Sequence, residues 1–289
     1  MPKSQKHYKY KGIPVQLIEE QFNEFVLPHL SVGRRGPKTS VPPFKIFNYI
    51  MKVLYTGMQW SQLTIDKDKI GRAEIHYTWV FKIFKRWSND GSLKKVFENS
   101  VFALSEAGML DLSVLHGDGS TTMAKKGGDG LGYSGHKHMK GEKVVCISDR
   151  HGNVLSPYTI APANRHESPL FDHALKSLKS VFKKINVSLK GIMMSLDSAY
   201  DSRKNRKLIF NSQMIPNIKR NKRNRKAKKR GPKRFFDPDI WIERLHIIER
   251  TFAWEDKFKR LLLRFERISA NHFGMKLLAY AMINLRNFC

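Results

Sequence analysis

Residues 112–160 read LSVLHGDGSTTMAKKGGDGLGYSGHKHMKGEKVVCISDRHGNVLSPYTI, and the pattern inside them decides the fold. LSVLHGD (112–118), KVVCISD (143–149) and NVLSPYTI (153–160) are short runs rich in apolar and β-branched residues, bounded by Gly, Asp and Asn, so each is predicted as a strand. Arg150-His151-Gly152-Asn153 joins the last two as a hairpin turn. Downstream the period alternates. A helix is predicted over 167–183, a short strand in IMMSLD (192–197), a helix in SRKNRKLIFNS (202–212), a strand in MIPNIK (214–219) and a helix within 241–267. Three strands followed by alternating helices and strands imply an α/β fold, a mixed sheet with helices on its faces.

Upstream the pattern is helical throughout. QLIEEQFNEFVLPHL (16–30) stops near Pro28, and Phe44, Phe47, Ile50, Met51 and Leu54 share one helical face that ends at Gly57. Ile75, Trp79, Ile83 and Trp87 repeat the spacing as core positions, and SLKKVFENSVFALSEAG (92–108) supplies another helix. The expected division is an all-helical region over 1–110, compatible with helix-turn-helix recognition, and a sheet-bearing region over 111–289.

Charge narrows the partner. With 53 Lys and Arg against 25 Asp and Glu, the 289-residue chain carries +28, with pI about 10.1. That excess points to a polyanion, by default nucleic acid. No apolar run approaches the roughly 18 residues of a spanning helix, and the first residues lack a signal-peptide apolar region, so a membrane role and export are not expected. Cys146 and Cys289 form neither a disulfide framework nor a metal-ligand spacing. The chain reads as cytoplasmic. Eleven of the sixteen residues from Lys219 to Arg234 are Lys or Arg, a density that suits phosphate contact or a targeting signal alike. Arg34, Arg35 and Lys38, among Gly and Pro in SVGRRGPKTSVPP, suit an extended segment along phosphates.

Within WIERLHIIERTFAWEDKFKRLLLRFER (241–267), Leu245, Ile248 and Phe252 mark an apparent inward stripe, and Glu249 falls along it. An inward carboxylate needs a partner. Either Arg244 or Arg250 neutralises it, or it reaches a cleft and binds a cation. Two more acids lie at strand ends: Asp118 in VLHGDGSTT and Asp197 in IMMSLDSAYDS. Taken singly, Asp118 suits a turn and Asp197 suits a helix cap. Together, acids just past strand C-termini line the ligand crevice of α/β sheets. Three carboxylates without thiols make a hard oxygen site suited to Mg2+ or Mn2+. Two such ions would support in-line phosphoryl transfer.

HGDGSTT followed by KKGG, then LDSAYDS, then IIERTFAWEDKFKRLLLRFER and INLRNF occur in the order that resembles the DDE transposases of bacterial insertion sequences, particularly the insertion sequence five branch. The resemblance covers most of the chain, including FNYIMKVLYTGMQWSQL as an entry domain. It implies a ribonuclease-H-like catalytic fold in which Asp118, Asp197 and Glu249 bind two Mg2+ ions, with Mn2+ as a substitute. It also implies an enzyme that binds double-stranded DNA at its element's terminal inverted repeats, cuts there and joins the 3′ ends to target DNA, as a homodimer or higher oligomer. A nuclease or resolvase on the same fold, or a DNA-binding copy without catalysis, is the alternative. Relatives place a tyrosine seven residues before the glutamate, an arginine four before and a lysine seven after, where this chain has Ile242, Leu245 and Asp256. The residues expected to meet DNA are Arg34, Arg35, Lys38, Lys125, Lys126, His136, Lys137, Lys219, Arg220, Lys222, Arg223, Arg225, Arg250 and Lys257. His166 and Glu167, in ANRHESP, are expected only to start a helix.

Overall fold

A computed structural model of the chain describes residues 12–33, 39–156, 159–221 and 234–289. They form two compact units: 1–107 with 122–130 and 254–289, and 108–121 with 131–253.

The second unit holds the sheet. Its strands are β1 (Val114–Met123, the last two residues of which belong to the other unit), β2 (Gly132–Ser134), β3 (Met139–Ser148), β4 (Thr159–Pro162), β5 (Met193–Leu196) and β6 (Ile215–Ile218). The order is β2-β3-β1-β5-β6, with β4 also on β3. β3 pairs antiparallel with β2 and β4, whereas β1, β5 and β6 run parallel through Val114↔Met193↔Ile215 to Leu196↔Ile218. Helices α5 (Glu167–Lys184) and α6 (Arg203–Asn211) pack beside β3, β4 and β6, and α7 (Pro238–Glu255) follows. This mixed sheet, an antiparallel group at one side and parallel strands with helical crossovers at the other, is a ribonuclease-H-like arrangement and bears out the expected α/β class.

Local chemistry explains the pieces. Leu115, Val144, Val145, Ile147, Met194 and Leu196 are fully or almost fully buried, which is why these runs read as apolar. The β3–β4 turn is organised by Asp149, whose carboxylate accepts from the amides of His151, Asn153 and Asp111. Gly152 takes the positive φ the turn requires. β2 was not expected, being only three residues long, and the third strand begins at Thr159, later than Asn153.

The helical unit contains α1 (Glu19–Phe25), α2 (Pro43–Thr56), α3 (Tyr77–Asn89), α4 (Ser92–Glu106) and α8 (Ser269–Leu285). Gly57 caps α2 in the left-handed region, as expected. Trp87 is buried and donates to the Ser31 carbonyl, but Trp79 is 46% exposed under Lys82, so only one of the two tryptophans belongs to the core.

The linear boundary at 110 differs from the compact units. α8 is buried from Asn271 to Leu285 on nearly every face and packs on α4, α3 and α2. A helix apolar all round needs neighbours all round, and the N-terminal helices supply them. Lys276 and Tyr280 of α8 both bond the Glu255 carboxylate, all three buried. No helix among the described residues is long and apolar enough to cross a membrane.

Candidate active site

Asp118 and Asp197 stand side by side because the parallel ladder ends one residue before each, at Gly117↔Leu196. β1 itself continues past Asp118 to Met123, so the acid lies at the end of the ladder and not of the strand. Asp197 caps the 3-10 turn Ser198–Tyr200 by accepting from Ala199 N at 3.5 Å. Both roles weighed from sequence for Asp197, cap and site residue, are thus compatible.

The cation between them is a side chain. Arg244, 1% exposed on α7, places Nη1 2.5 Å from Asp118 Oδ2 and Nη2 3.7 Å from Asp197 Oδ1. Burial raises the Asp118 pKa, the Arg244 guanidinium and the Gly119 amide pull it down, and the negative charge of Glu167 adds to the rise. Desolvation of Asp118 therefore outweighs its partner, as occurs where a carboxylate loses more water than its ion pair returns.

Glu167 borders this pair. Its Oε1 is 3.1 Å from Lys143 Nζ, and its Oε2 accepts from the Tyr200 hydroxyl at 3.5 Å. Tyr200 is fully buried, and burial first, then the charges of Glu167 and Asp118, push its hydroxyl pKa well up. On the other side of Asp118, buried His116 has Nε2 3.3 Å from Glu243, which Arg150 grips through Nε and Nη2 at 2.6 and 2.7 Å. Burial lowers the His116 pKa to about 4 despite Glu243, so the ring is neutral near pH 7.

Glu249 lies on the exposed side of α7. The buried face of α7 is Arg244, Ile247, Ile248, Thr251 and Glu255, while Leu245 and Phe252 are half-buried and Glu249 is exposed. Arg244 and Glu249, five positions apart, lie roughly 140° apart around a helix. The stripe read from Leu245, Ile248 and Phe252 misses the true face because Arg, Thr and Glu occupy buried positions on it. Among the described residues no three His, Cys, Asp or Glu side chains form a group that could hold a metal ion. What the structure brings together is Asp118, Asp197 and Arg244, with Glu167 beside them. Neither Arg244 nor Glu167 was assigned to the site from sequence. Only their polarity next to apolar periodic positions signalled them, and that signal does not name a partner.

The basic residues are distributed. His136 and Lys137 occupy the exposed turn between β2 and β3, and Lys137 Nζ reaches Thr121 Oγ1 at 3.2 Å. Lys219 and Arg220 are exposed after β6, with Lys219 Nζ 4.1 Å from the Trp241 ring centre. Arg250 is exposed on α7. In the helical unit Lys125 and Lys126 are exposed, and Lys257 donates to the Ile13 carbonyl at 3.3 Å. Arg34, Arg35, Lys38, Lys222, Arg223 and Arg225 lie outside the described residues.

An aspartate pair where a parallel ladder ends occupies the place at which α/β sheets form their ligand crevice. Residues 104–285 match the family model described as Transposase DDE domain. The chain belongs to that transposase family. Two solved structures are similar to it at low scores. The Mos1 transposase paired-end complex with left transposon end aligns at 11% identity over 64% of this chain and 62% of that one, with TM-score 0.27. A pre-cleavage Mos1 transpososome aligns at 10% identity over 87% and 81%, with TM-score 0.28. The first alignment thus spans less than two thirds of that chain. Comparison with curated proteins gives no match.

Proposed function

We propose that this protein binds the terminal repeats of its own element, cuts phosphodiester bonds there and transfers the freed 3′ ends to target DNA. The observation that carries the reading is the pairing of Asp118 and Asp197 at the end of a parallel ladder, in a chain of the transposase DDE family. The donor chemistry fits a hard divalent cation, for two carboxylates without sulfur are what Mg2+ takes from a protein when substrate phosphates complete its shell. Asp118 and Asp197 would hold it, and the resemblance adds Glu249. Bound divalent ions in such sites activate an attacking oxygen and stabilise a leaving oxygen. The chain's own contribution is to fix both aspartates in register and to keep Arg244 buried against them. His116, two residues before Asp118 on β1, is neutral and held by Glu243, so it adds no charge to that strand.

DNA is the partner that a +28 chain suits. His136, Lys137, Lys219, Arg220 and Arg250 are the exposed residues of the sheet unit proposed to meet phosphates, and Lys125, Lys126 and Lys257 are those of the helical unit. Arg34, Arg35, Lys38, Lys222, Arg223 and Arg225 complete the proposed set. A dimer or larger assembly on DNA is part of the same proposal.

The test is a cleavage and strand-transfer assay with end-bearing DNA and Mg2+, run beside a binding assay. Asp118→Asn and Asp197→Asn should each lower cleavage by orders of magnitude while DNA binding persists. Glu249→Gln should do the same if the resemblance assigns it correctly, and near-normal cleavage by that variant would remove it from the site. Cutting without joining of pre-cut ends would make the protein a nuclease.

A further inference from the structure

Glu167 is the first residue of α5, after His166 in extended conformation. An acid there ordinarily does no more than favour the positive end of its own helix. This one reaches across the sheet unit. A Cβ at Gly119 would come 2.4 Å from Glu167 Cδ and 2.7 Å from Oε2, so the carboxylate lies against the backbone one residue beyond Asp118. The same Oε2 accepts from the hydroxyl of Tyr200, three residues beyond Asp197, and Oε1 pairs with Lys143 of β3. One side chain therefore touches both segments that carry the aspartates. A side chain at 119 would displace the Glu167 carboxylate from this place.

We propose that Glu167 is a positioning residue of the aspartate pair, which holds the segments after Asp118 and Asp197 in register and strengthens the negative potential that draws a divalent cation to them. The proposal rests on the two-aspartate reading above. Among the described residues, Glu167, Asp118 and Asp197 pair with two cations, Arg244 and Lys143, so that here the carboxylates outnumber their neutralising partners. Each unit of charge added or removed at this range shifts the affinity for a divalent ion in a direction fixed by its sign.

The full-length protein would be titrated with Mn2+ without DNA and followed by electron paramagnetic resonance, with circular dichroism as a check on folding. Glu167→Gln should bind Mn2+ on the order of tenfold more weakly, and Glu167→Asp should regain part of that loss. Lys143→Met, which removes the positive charge beside Glu167, should bind more tightly than the wild type. A purely structural prop would lower thermal stability and leave the Mn2+ isotherm of the folded protein unmoved. If Asp118→Asn binds Mn2+ like the wild type, or the wild type binds none, the two-aspartate reading fails and this inference with it. If Asp118→Asn weakens binding but a folded Glu167→Gln does not, only the role of Glu167 is overturned. Should Glu167→Gln fail to fold, Lys143→Met decides: tighter binding supports the role, and equal or weaker binding overturns it.

Discussion

Arg244 is the residue on which the site's electrostatics turn. A guanidinium that is 1% exposed between two carboxylates is held by them as much as it holds them. Arg244→Ala should cost about 2–3 kcal/mol of stability in urea unfolding, toward the low end for a broken buried pair because both aspartates keep some solvent. The same variant should gain more from Mg2+ than the wild type does, by up to about 2.7 kcal/mol at a hundredfold excess over Kd. Equal Mg2+ stabilisation of both proteins would show that the guanidinium does not compete for the cation's place. The two aspartates were legible in the sequence only as a pair, since each follows a strand-like run, while singly a turn or a cap explains either. The arginine was not, because helical spacing names a face only when the buried residues are apolar, and here Arg244, Thr251 and Glu255 are polar and buried.

At the scale of elements, α8 shows how a buried charge is tolerated. Lys276 is buried on a helix that also buries Asn271, His272 and Asn284 among Met, Leu, Ala and Ile, and Glu255 receives both it and the Tyr280 hydroxyl. Lys276→Met should destabilise by about 3 kcal/mol, since Glu255 stays buried with one partner lost. The double variant Glu255→Gln with Lys276→Met should recover most of it, because neither charge is then left alone. Additive losses in the denaturant midpoints of this cycle would mean that the two side chains act independently. Strands β1, β3, β5 and β6 and helices α5 and α6 were legible because period and punctuation agreed over each. β2 escaped notice because three residues cannot display a period.

The whole molecule departs most from its linear reading. Residues 254–289 were assigned to the sheet-bearing half because they follow it in sequence, yet they complete the core of the helical unit. Periodicity reports that α8 has an apolar surface but not which neighbours cover it. Residues 1–110 expressed alone should therefore fail to unfold cooperatively and should bind a hydrophobic dye. Appending 254–289 through a flexible linker should restore a sharp transition by circular dichroism. A cooperative transition for 1–110 alone, matching that of the fused piece, would show that the N-terminal helices need no partner. An end-recognition experiment on an isolated N-terminal piece is informative only with this segment attached.

A unit assembled from both ends of its chain also has a timetable. The helices up to residue 107 leave the ribosome well before residue 269 is made, and at about 5–20 residues per second the interval is roughly ten to thirty seconds. Throughout it the faces of α3 and α4 that α8 will cover stay bare. A message interrupted between α7 and α8 thus yields a product that carries both aspartates and Arg244 but leaves the helical unit unfinished. In such a product the uncovered helices would be prey for chaperones and proteases, because the faces of α3 and α4 stay open until α8 has been made.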